Sequence, residues 1–128
     1  MPDRQDFGLS AIGQIAVQVQ DLDRSVAFYR ERLRLPFLFQ APPGLAFFDA
    51  GGVRLMLSRP EGEGGGTSVL YFRVDDIQGA TTALKGRGVT FTDEPHIIAK
   101  MNTYDLWMAF FRDSEGNMHA LMSEVPRT

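Results

Sequence analysis

One pattern occurs twice in this chain, and its recurrence constrains the fold more than any other feature. From Ile12 to Gln20, Ile15, Val17 and Val19 alternate with Gln14, Ala16, Gln18 and Gln20, the period of a half-buried strand. "DLDRSVAFYRERL" follows, with Leu22, Val26, Tyr29 and Leu33 on one helical stripe, Asp21 or Asp23 as N-cap and Pro36 as the stop. Three short strands are then expected, "FLFQ", "AFFDA" and "VRLMLS", with Gly51-Gly52 as a hairpin turn between the last two. After "PEGEGGGT" the pattern restarts. "SVLYFRV" leads into "DDIQGATTALKGRGV", whose Ile77, Ala80 and Leu84 form a stripe that Gly88 closes. "TFT", a loop containing Pro95, "LWMAFFR" and "NMHALMS" complete the second copy.

The helix starts superimpose at a spacing of 55, Asp21 on Asp76, and "FFDAGGVRLMLS" matches "FFRDSEGNMHALMS". The last strands align at 64, Gly52 on Gly116, or at 65, Leu55 on Ala120 and Ser58 on Ser123. The second spacing is preferred, because hairpin turns often differ by one residue. Neither copy is large enough for a stable core of its own, so the two must join. The expected fold is therefore α+β, two tandem βαβββ modules with helices on the outer face. Module one spans about 12–59, a glycine-rich linker about 60–67 and module two about 68–124. The linker reading is preferred to a phosphate cradle because a strand, not a helix N-terminus, follows the glycines.

Composition narrows the function classes. The 128 residues hold no cysteine, which excludes disulfides, thiolate metal sites and Cys nucleophiles. A net charge of −3 with no clustered basic surface argues against nucleic acid, since "RERLR" is broken by Glu31 and Leu33. No apolar run approaches the roughly 20 residues of a membrane span, and "MPDRQDFGLSA" has no apolar signal region, so a cytoplasmic protein is expected.

The duplicated unit, and above all "DLDRSVAFYRERL" and "FFRDSEGN", resembles the vicinal oxygen chelate superfamily of glyoxalases, extradiol dioxygenases, fosfomycin-resistance transferases and bleomycin-binding resistance proteins. The resemblance runs from Ile12 to Ser123. It implies curved mixed sheets around a cavity and, in the enzymes, a divalent metal held there by about four His, Glu or Gln side chains. Carried across position by position, those ligands fall on Gln14, Leu55, Val69 and Ala120. Three hydrocarbon side chains hold no metal, so the resemblance implies the scaffold without the metal or any cofactor. The position of an acid–base tyrosine in some dioxygenases falls on Phe110, which has no proton to transfer.

Strand parity sketches the cavity: Gln14, Ala16 and Gln18; Leu55 and Leu57; Val69, Tyr71 and Arg73; Met108 and Phe110; Ala120 and Met122. This is an apolar pocket with a few donors, the usual composition of a small-molecule site, although core packing would explain its Leu and Met residues equally. An inward Arg73 calls for an anionic partner. His96 belongs to a loop, "EPHIIAKMNTYDLW", expected to close one end of the cavity, either as a surface residue or as a ligand contact or base. His119 falls on the opposite parity, facing the helix layer or solvent, and Trp107 shares that parity and packs under a helix. The preferred reading is a metal-free homodimer that binds a small organic molecule. A lyase, isomerase or dioxygenase-type enzyme, or a structural dimer with a filled cavity, stays open.

Overall fold

The computed structural model describes residue 9 and residues 11–59 and 68–127; the stretch 60–67, read above as a linker, lies outside the described residues. The first copy comprises β1 (Gln14–Gln18), α1 (Leu22–Ala27), β2 (Phe37–Ala41), β3 (Leu45–Ala50) and β4 (Val53–Ser58). Asp21 caps α1, its carboxylate accepting from the Arg24 amide at 3.1 Å. The helix continues as a π-helical turn over Phe28–Arg32, closed by the Leu33 amide on the Phe28 carbonyl at 3.1 Å. That wider turn sets Phe28 and Tyr29, neighbours in sequence, both into the interior.

The second copy comprises β5 (Tyr71–Arg73), α2 (Ile77–Gly86), β6 (Thr90–Phe91), β7 (His96–Lys100), β8 (Tyr104–Arg112) and β9 (Met118–Pro126). Asp76 caps α2 at the Gly79 amide. At its other end Gly88, φ +87°, completes a Schellman motif: its amide bonds Lys85 and that of Val89 bonds Leu84. The segment expected as a loop around His96 is instead a strand. β7 pairs antiparallel with β8, with a bulge between Ile97 and Ala99. Its β-branched Ile97 and Ile98 suit a strand, which satisfies backbone groups along a β8 long enough to carry both β6 and β7 on one edge.

Two mixed sheets result, ordered β1-β4-β3-β2 and β5-β9-β8-β6, with β1 parallel to β4 and β5 parallel to β9. Each sheet buries one face in a shared core. Val17, Val19, Phe48, Leu55, Leu57, Leu70, Ala109, Phe111 and Leu121 meet Tyr29, Phe28, Ile77 and Leu84 from the helical segments. Trp107 packs against this core from the helix side, as its parity predicts.

The pairing corrects two assignments. Leu55 and Leu57 sit beside Ile15 and Val17 on the helix-facing side, 1% and 0% exposed, and not on the open face with Gln14, Ala16 and Gln18. The residues beside Gln14, Ala16 and Gln18 are Arg54, Met56 and Ser58. Tyr71 pairs with Ala120 where Ala16 pairs with Met56, so the last strands correspond at a spacing of 64, not the preferred 65. The extra residue of the second hairpin lies inside its turn, ahead of Gly116, so from the glycine onward nothing more is gained. A one-residue slip moves every side chain to the other face. Leu55→Ala should therefore lower stability by about 2–5 kcal/mol, the cost of a core cavity, and Met56→Ala by clearly less. Urea denaturation of both variants checks the assignment.

Candidate functional site: an apolar cleft between two sheet edges

On the face away from the helices, the first sheet presents Gln14, Ala16, Gln18, Arg54, Met56 and Phe47. Gln14 Nε2 lies 3.7 Å from Met56 Sδ. Phe39 stacks on Phe47 at 4.6 Å between centroids, and the Arg54 guanidinium lies 5.5 Å from the Phe47 centroid. The second sheet presents on its corresponding face Val69, Tyr71, Arg73, Met108, Phe110, Ala120 and Met122, as strand parity predicts. Tyr71 and Phe110 meet edge to face at 6.3 Å. His96 shares this face, paired with Met108. Its Nδ1 donates to the Glu94 carbonyl at 2.8 Å, and the side chain is exposed on the sheet's edge.

The edge strands β1 and β5 both border a cleft of about 610 Å³. Ile15, Leu35, Val53 and Leu55 line it from the first copy and Val69, Tyr71 and Phe72 from the second, with Arg54 and Arg73 as its cations. Val69 and Tyr71 are 45% and 51% exposed, unusual for apolar and aromatic side chains beside a core. The structure thus brings Val69, Tyr71 and Arg73 together in one cleft with Arg54, a residue the sequence reading left out. Its signal was present: Arg54 shares parity with Gln14 once the hairpin spacing is set to 64.

Beneath the cleft lies a buried polar network. His119 is fully buried, and the Leu70 amide donates to its Nδ1 at 3.1 Å. That bond needs the Nδ1 lone pair, so the network assigns the ring proton to Nε2, which donates to Tyr29 Oη at 2.7 Å. Tyr29 in turn donates to Asp113 Oδ2 at 2.6 Å. Asp113 also accepts from the amides of Glu115 and Asn117, each at 2.8 Å, and from Asn117 Nδ2 at 3.0 Å. Burial alone would raise the Asp113 pKa, but the neighbouring His119, Tyr29 and Asn117 and the Glu115 amide outweigh it and lower it to about 2. The Tyr29 phenol is pushed far upward, first by burial and then by the charge of Asp113. Because His119 fixes the Leu70 backbone, it also sets the flanking Val69 and Tyr71 into the cleft.

The corrected register changes the metal positions implied by the resemblance to Gln14, Met56, Val69 and Ala120. One amide, one thioether and two hydrocarbon side chains do not fit a divalent metal. No cluster of three His, Cys, Asp or Glu residues suited to a metal occurs among the described residues. No helix among them is long and apolar enough to cross a membrane.

Two strand–helix–strand repeats, joined through a helix-covered core and leaving an open face on each sheet, define the class of fold. The chain belongs to the Glyoxalase/Bleomycin resistance protein/Dioxygenase superfamily, whose family profile matches residues 11–121. It is 29% identical to the uncharacterized protein YraH of Bacillus subtilis, a match covering 82% of this chain and 91% of that one. Its fold resembles lactoylglutathione lyase from Agrobacterium tumefaciens, with a TM-score of 0.72, 23% identity and coverage of 91% and 95%. A superfamily member from Sphaerobacter thermophilus is similar at a TM-score of 0.74 and 23% identity, covering 91% of this chain and 98% of that one. At these identities the likeness to solved structures establishes the fold alone.

The Asp113 network makes a pH prediction with a definite sign. A carboxylate whose pKa is lower folded than unfolded contributes stability that is complete above the unfolded value of 3.8 and is lost as pH falls toward 2. Asp113→Asn should cost about 2–4 kcal/mol at neutral pH, because an amide cannot accept from donors on both sides. The variant should also lack about 2 kcal/mol of the wild-type loss between pH 4 and 2. Urea titrations of both proteins across that range measure the two effects.

Proposed function

We propose that this superfamily member binds a small organic molecule in the cavity region between its sheets, without a metal ion, and acts as a homodimer. The observation that carries the reading is the donor set Gln14, Met56, Val69 and Ala120. It leaves an apolar floor where a metal-dependent relative would need four ligands. Ala120 is fully buried, and Met108, Phe110 and Met122 are half-buried around it, a surface that favours an apolar ligand over an aqua ion. A cleft that keeps Val69 and Tyr71 partly in water gains free energy when a ligand covers them, at roughly 25 cal/mol per Å² of apolar area.

The exposed apolar residues also support a partner. Besides Val69 and Tyr71, Ile97, Ile98 and Met101 are each more than a third exposed along β7 and just beyond it, where an open sheet edge invites pairing. Closed two-fold pairing is the commonest solution for soluble homo-oligomers.

Elemental analysis of the purified protein should find no stoichiometric zinc, nickel, iron or manganese; near-unit occupancy would overturn the metal-free reading. Sedimentation at micromolar concentration should give the mass of two chains, and the thermal midpoint should rise with protein concentration. A single-chain mass with a constant midpoint would remove the dimer. A thermal-shift screen of small organic compounds should return ligands that raise the midpoint in a dose-dependent way.

A further inference from the structure

Charge in the cleft specifies what kind of molecule suits it. Its charged lining consists, among the described residues, of Arg54 and Arg73, both cationic, with no carboxylate beside them. Among the described residues neither guanidinium makes an ion pair, and Arg73 has no hydrogen-bond partner. Asp49 lies directly across the strand pair from Arg54, but its Oδ1 is taken by the Gly52 amide at 2.9 Å in the Gly51-Gly52 turn. Arg54 is held over the Phe47 ring, which keeps its guanidinium on the open face.

The backbone adds donors. The Leu70 carbonyl accepts from the Ala120 amide and the Val74 amide donates to the Met122 carbonyl, so the even-numbered positions of this stretch face β9. In a parallel ladder the alternate groups point the other way, so the peptide N–H groups of Tyr71 and Arg73 lie on the free edge toward the cleft. A smaller apolar pocket of about 310 Å³ under α2 adjoins the cleft, sharing Leu35, Phe72 and Arg73 with it. Among the described residues an arginine without a partner thus stands where two apolar cavities meet.

We propose that the cleft selects anionic amphipathic molecules: a carboxylate or similar anion held between Arg73 and Arg54, its apolar body against Val69, Tyr71 and Leu35. This inference rests on the small-molecule reading and adds the charge of the ligand to it. A guanidinium left against hydrocarbon gains most from an anion that brings its own apolar surface, because both partners then leave water together. A neutral isostere leaves the guanidiniums with no counter-charge, and a cation is repelled.

The test uses naphthalene-2-carboxylate and its uncharged carboxamide, titrated into the full-length protein while backbone amide NMR shifts of Val69, Tyr71 and Arg73 are followed. The carboxylate should shift these amides and bind about tenfold or more tightly than the carboxamide. Arg73→Met should erase most of that preference, while Arg30→Met, outside the cleft, should leave it unchanged. Both arginines are exposed, so folding of the variants should persist and is checked by an unchanged thermal midpoint. Equal binding of the two probes, unaffected by Arg73→Met, would overturn anion selectivity while leaving the small-molecule reading intact. No shift at the three amides with either probe at millimolar concentration would overturn both.

Discussion

The setting of the two sheets depends on one buried carboxylate. Asp113 carries its charge inside the protein with hydrogen-bond donors in place of a paired cation: one phenol, two peptide amides and one side-chain amide. Each donor comes from a place that must be held. Tyr29 belongs to the helical segment of the first copy, and Asn117 reaches on to the Gln18 carbonyl at the end of β1. Glu115, in the same turn, accepts from the Gln20 and Asp21 amides at 2.9 and 2.8 Å and so fixes the start of α1. Through Tyr29 and His119 the chain of bonds ends at Leu70, beside β5. Five residues of one turn thereby connect β1, α1, β5 and β9, and the spacing of the two edges that border the cleft follows.

This dependence explains why "DLDRSVAFYRERL" and "FFRDSEGN" are the stretches that carry the family resemblance. They are the two sides of one polar joint between the copies, and any change in it exposes a buried charge or strands a buried donor. The joint is independent of what the open faces do. A chain can keep the complete scaffold while the positions that would hold a metal become Met56, Val69 and Ala120, because none of these takes part in the network. The scaffold and the chemistry of the open faces are separable, because the first rests on the Asp113 network and the second on side chains outside it.

The periodicity of two in β1 and the helical stripe of α1 were legible because each is decided locally, by which side chains can leave water together. So were a cap at Asp21 or Asp23, the Gly88 stop and the placement of Trp107 under a helix, while parity left His119 between the helix layer and solvent. The second-copy face, Val69, Tyr71, Arg73, Met108, Phe110, Ala120 and Met122, was legible for the same reason. Leu55 and Leu57 were misplaced because parity within a strand is local but its phase against a neighbour is not. "VRLMLS" alternates in either phase, and only pairing with β1 and β3 decides which set faces the helices. The strand at His96 was missed because a short segment led by Pro95 pairs only when a longer strand offers it a free edge.

By itself the sequence determined the duplication, the fold class and the absence of thiol chemistry, since these depend on residue identity and spacing alone. Tertiary structure decided the rest. It put Arg54 in place of Leu55 on the open face and made His119 a buried link between Tyr29 and the Leu70 backbone. It set Arg73 between two apolar cavities, without a partner among the described residues. The physical reason is that these hydrogen bonds act between residues about 50 to 100 positions apart, and only the folded chain brings their atoms within 3.2 Å.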